Sequence, residues 1–140
     1  EAKRRITLLG DAFRKDGMDG EVALSLSHPR RLDLFTERKP FCSLDGELPA
    51  PLAAAVNHEA LKHDDDGVSV KRDGAFRAAL ELALGEAEVM AAELAREYLH
   101  ALPARQELLR RPALQLAVWA SKRPNIAARM MGLPLLAELE

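Results

Sequence analysis

The stretch from Ala78 to Leu102, AALELALGEAEVMAAELAREYLHAL, constrains the fold of this chain more than any other. Leu80, Leu84, Val89, Ala91, Leu94 and Leu99 recur at helical spacing. Gly85 weakens the pattern by about 1 kcal/mol relative to alanine without breaking it. A helix with such a face must bury it against other elements. Pro103 starts a further segment with Leu108, Leu114, Leu116 and Trp119 on its apolar side, and Pro112 is expected to bend or divide it. Pro124 opens a last short helix, NIAARMMGL, ending near Gly132 and Pro134.

The first half of the chain is also read as helical for most of its length. Ala2, Ile6, Leu9 and Phe13 form one stripe, and Gly17 and Gly20 stop it. From Glu21 to Arg38 two patterns compete. Val22, Leu24 and Leu26 alternate as in a strand, whereas Ala23, Leu26, Leu34 and Phe35 suit a helix. Pro29 interrupts any continuous helix there, and Ser27 is placed to cap a second helix that begins at the proline. The alanine-rich stretch PAPLAAAVNHEALKH carries Leu52, Val56 and Leu61 at helical spacing and ends at Asp64, Asp65, Asp66 and Gly67. Next, Val68 and Val70 alternate with polar residues and an Asp73–Gly74 pair follows, which predicts a β-hairpin.

Composition narrows the function classes. A length of 140 residues with 48% apolar content is enough for one compact domain with a core. No apolar run approaches the roughly 18 residues of a membrane span. The first residues, EAKRRITLLG, lack the apolar run of a signal peptide, and Cys42 is the single cysteine. The expectation is a cytoplasmic protein without an intrachain disulfide. A net charge of −2 is not the bulk signature of a nucleic-acid binder, although an electrostatic footprint is local.

Candidate chemistry is sparse. His58 and His63 are five apart beside Asp64–Asp66, a spacing awkward for one helix face, and no HExxH or paired CxxC accompanies them. The acidic run lacks the twelve-residue calcium-loop pattern and reads as a solvated turn. Cys42 has Lys39 three residues away but no histidine close in sequence, so it reads as a small core residue before a nucleophile. No phosphate loop, nucleophile elbow or dinucleotide fingerprint is present. The chain is therefore expected not to be an enzyme and to need no cofactor or metal.

Order is more informative than any single residue. From Glu21 onward the elements read helix, short helix, alanine-rich helix, then a hairpin with KRDG at its tip. That is the order of a winged helix-turn-helix, in which the third helix enters the major groove and the wing touches the backbone. LSHPRRLDLF resembles the first-helix signature of ArsR-type winged-helix repressors, and PAPLAAAVNHEALKHDDDGVSVKRDGAF resembles their recognition helix and first wing strand. The resemblance spans about residues 21–78.

It implies a mainly α fold with a small β-hairpin: a winged-helix region over residues 1–78 and a helical dimerisation or partner-binding region over 79–140. The implied function is a dimeric transcriptional regulator of double-stranded DNA. Arg30, Arg31, Lys62, Lys71 and Arg72 would contact phosphates, and Asn57 and His58 would reach base edges. The alternative is a helical adaptor or inhibitor module without a nucleic-acid role, binding a protein partner through the C-terminal helices. The net acidic charge and the Asp64–Asp66 run favour that alternative.

Overall fold

The computed structural model describes residues 10–25 and 29–123. They form β1 (Gly10–Lys15), β2 (Met18–Leu24), β3 (Arg31–Thr36), β4 (Lys39–Asp45), β5 (Leu52–Asn57), α1 (Gly74–His100) and α2 (Pro103–Ser121). The strands make one five-stranded sheet in the order β1-β2-β5-β3-β4. Neighbours are antiparallel except β3 and β5, which run parallel. The fold is thus a mixed sheet followed by two helices, which overturns the mainly α winged-helix expectation.

Alternation makes these strands. Met18, Val22 and Leu24 of β2 are buried on one face, and Asp19 and Glu21 point to the other. Leu32 and Leu34 of β3 continue the buried layer, with Arg31 and Asp33 opposite. The helix expected over residues 49–63 is replaced by β5, the central strand. There Val22 pairs with Ala54 on one side, and Leu34 pairs with Val56 on the other. Leu52, Ala53, Ala54 and Val56 are all buried. A central strand reads as a continuous apolar run, so the alanines that favour a helix in isolation are overridden by burial. Likewise residues 10–15, expected as helix, are the edge strand β1. The proposed helices at 2–9 and after Pro124 lie outside the described residues, as do Ser27 and His28.

The predicted wing is not formed as a wing. His63 and Val70 make one isolated bridge, closed by Lys71 N–H donating to the Lys62 carbonyl at 2.7 Å. Asp73 is not a turn residue but the N-cap of α1, accepting from the Phe76 N–H at 3.2 Å. The hairpin signal of Asp73–Gly74 therefore marked a helix start.

The two long helices lie where the sequence placed them, but α1 buries a face other than the expected one: Val89 is exposed and Leu80, Leu84 and Leu99 are only partly buried. At 27 residues, α1 is about 40 Å long. It packs on β2, β5 and β1, and α2 packs on α1. Ala79, Ala83, Ala87, Met90 and Leu94 form its buried stripe. Gln106 bonds the Tyr98 carbonyl, Arg105 pairs with Glu97, and Arg123 pairs with Glu88. These contacts set α2 antiparallel on the second half of α1. Pro112 lies inside α2 and is buried. One hydrophobic cluster joins residues from the sheet and both helices. No described helix is long and apolar enough to cross a membrane.

Candidate protein-interaction surface

The residues expected to hold DNA are distributed over several places. Arg30, at a positive φ of 69°, donates to the Leu48 carbonyl at 3.1 Å and the Gly46 carbonyl at 3.0 Å. It thereby ties the β4–β5 connection to the start of β3. Arg31 pairs with Asp33 at 2.8 Å on the sheet face away from α1. Asn57 is buried at the end of β5. His58 accepts from the Ala60 N–H through Nδ1 at 3.4 Å. Lys62 and Lys71 are exposed and meet across the isolated bridge. Next to them, Arg72 pairs with Glu47 and stacks over the Phe76 ring. Only Lys62, Lys71 and Arg72 come together.

The loop between Lys62 and Lys71 ends in Asp64, Asp65 and Asp66, all exposed. The Asp66 carboxylate accepts from the Val68 and Ser69 N–H groups and the Ser69 hydroxyl. The Val68 and Ser69 N–H groups hold its pKa below the ordinary 3.8, so it is charged at neutral pH. The tip is anionic where a wing would carry cations. Among the described residues no group of three or more His, Cys, Asp or Glu could hold a metal ion. His63 stacks on Phe41 with ring centroids 4.1 Å apart, and Cys42 packs against the core.

Asn57 instead organises one corner of the sheet. Its Oδ1 accepts from the Arg38 N–H at 2.9 Å, and its Nδ2 donates to Asp19 and Glu59. Arg38 also pairs with Asp19 at 2.7 Å. Glu37 and Arg38 both have positive φ, as the two-residue β3–β4 turn requires, and the Asn57 amide holds that turn closed. A cleft of about 340 Å³ opens over this corner, lined by Asp19, Glu21, Phe35, Arg38, Ala55 and Asn57. Its charges are largely spent on one another, so it serves the fold before any ligand.

The two sheet edges differ in a way that bears on binding. The outer edge of β4 carries Lys39, Pro40 and a register shift that leaves Phe41 as an extra residue. Charge, proline and a bulge are the usual devices that stop a free edge from pairing. β1 has no such bulge or proline: its six residues pair with β2 without interruption. No described strand pairs with its other side. The β1–β2 turn has two residues, Asp16 and Gly17, both with positive φ. Such a turn makes Lys15 and Met18 a hydrogen-bonded pair, and the antiparallel ladder then alternates. The backbone groups of Ala12 and Arg14 accordingly face outward.

Beside this edge, where the β1–β2 turn meets α1, lies a groove of about 500 Å³. Met18, Ala78, Leu82 and Gly85 supply its apolar surface, and Lys15, Asp16, Glu81 and Glu86 its polar surface. A Cβ at Gly85 would meet nothing within 4 Å, so the missing side chain leaves the groove open. None of these residues stood out in the sequence as chemistry-bearing. The signal that marks the place is Asp16–Gly17, a hairpin pair between two short runs. The chain matches no protein-family model, and no curated protein matches it significantly.

Proposed function

We propose that this chain is a protein-binding module that receives an extended segment of a partner as a sixth strand along β1. The carrying observation is the continuous β1 edge, free of bulge and proline, beside a groove under α1. In strand addition, main-chain hydrogen bonds supply affinity and adjoining pockets supply specificity. The interaction-module alternative is favoured over DNA regulation, with its surface moved from the C-terminal helices to the sheet edge. Binding DNA depends on cations directed at phosphates. Here Arg30, Arg31 and Arg72 are engaged with protein carbonyls or carboxylates, and the loop next to Lys62 and Lys71 ends in three aspartates.

Ala12→Pro tests the reading. Proline removes the outward N–H of residue 12 and spares the ladder with β2, a place where an edge strand tolerates it. Ala12→Val keeps the donor and serves as the control. Peptides selected from a displayed library on the full chain are expected to protect the Ala12 and Arg14 amides from hydrogen exchange. Their affinity should fall roughly two- to tenfold in Ala12→Pro, the worth of one hydrogen bond, and change little in Ala12→Val. Protection confined to other elements would overturn the proposal. So would a concentration-dependent dimer that Ala12→Pro abolishes, since the edge would then belong to a second copy.

A further inference from the structure

We infer that the segment received by β1 carries an apolar residue and, two positions along, a lysine or arginine, both directed at α1. The inference rests on the strand-addition reading above. Side chains of a strand alternate between faces, so residues i and i+2 point the same way and lie about 6.6 Å apart. A sixth strand beside β1 therefore turns every second side chain toward α1, and those level with Lys15 and the β1–β2 turn reach the groove there.

That groove has two parts. One is apolar, with Leu82 and buried Met18 next to the space left by Gly85. It suits an aliphatic side chain, which gains by leaving water. The other is anionic. Among the described residues, the exposed carboxylates of Asp16 and Glu81 stand beside the ammonium of Lys15. Two exposed carboxylates beside one ammonium attract a basic side chain and repel an acidic one. On the opposite face of the sheet the β1 edge offers Ala12 and Arg14, and the cleft on that face lies further in, over β2, β5 and Arg38, with no β1 residue among those that line it. Selectivity thus resides in the positions facing α1, and the intervening residues face solvent.

Two synthetic peptides separate the chemistry from the strand addition itself. One alternates as Thr-Val-Thr-Lys-Thr, and the other has glutamate in place of lysine. Titrated into the full chain at low salt, the lysine peptide is expected to bind at least about tenfold more tightly, with the difference shrinking as salt rises. Glu81→Lys should reverse the preference. Gly85→Leu fills an open place on a helix, so the fold is kept while both peptides weaken. Equal affinity of the two peptides, with the Ala12 and Arg14 amides protected by each, would overturn this inference and leave strand addition standing. Failure of both peptides to protect those amides would overturn the two readings together.

Discussion

At Gly20 the backbones of β2 and β5 approach so closely that no side chain fits between them. A Cβ there would lie 2.0 Å from the Ala55 carbonyl oxygen and 3.0 Å from both the Phe13 ring and the Val56 Cα. Two of the three obstacles are backbone atoms of the central strand, and that strand is hydrogen-bonded on both sides. It cannot retreat without breaking a ladder. Gly20→Ala is therefore expected to cost at least the roughly 1–3 kcal/mol of an overpacked core, read as a lower urea midpoint at unchanged slope. A loss below about 0.5 kcal/mol, the size of an ordinary surface change, would mean that β2 moves aside. Asn57 makes the same point about polar residues. Taken alone it looks like a reader of adenine, yet its amide is consumed by Arg38, Asp19 and Glu59. At both positions the role comes from neighbours far away in sequence.

Among the elements, α1 is the one whose start is set by a single side chain. Asp73 caps it through the Phe76 N–H, and that hydrogen bond holds the Asp73 carboxyl below its ordinary 3.8. A depressed folded-state pKa means the carboxylate contributes stability above 3.8, and the contribution is lost as pH falls through the lower folded value. Asp73→Asn keeps a capping oxygen that does not titrate. Its stability, followed by urea unfolding from about pH 6 to about pH 2, should decline less steeply than that of the parent. Equal acid slopes would show that the carboxylate charge contributes nothing. The rest of α1 was legible as a helix because its apolar residues recur over many turns, but its buried face was not, because Ala79, Ala83 and Ala87 pack inward while Val89 faces solvent. The run LAAAV was not, because its helix propensity is outweighed by its place in the middle of the sheet. Val22 and Leu24 did show the alternation of a strand, and the competing helical spacing across Pro29 concealed it. The binding edge was still less legible. An edge is defined by which strand is missing beside it, and strand order is a non-local property.

Across the whole molecule, α1 is shared by two packing neighbourhoods. It covers β2, β5 and β1, and α2 rests on it. The sheet side contains Leu34, and the helix–helix side contains Leu116, both fully buried. Truncating either to alanine is expected to cost about 2–5 kcal/mol. The two losses should nevertheless distribute differently. If α2 can lift from α1 while α1 stays on the sheet, the α2 amides exchange through a partial opening that leaves the Leu34 environment intact. Leu34→Ala then destabilises the closed and partly open forms alike. The protection of β5 amides falls by the full amount, and that of α2 amides stays as it was. Leu116→Ala acts only on the closed form, so α2 and β5 amides both lose protection. Native-state hydrogen exchange on the two variants reads these patterns directly. Equal losses at α2 and β5 in Leu34→Ala would show instead that the sheet and both helices open as one unit. In that case α1 would couple the β1 edge to α2, and a strand added at the edge would raise the protection of α2 as much as that of the sheet.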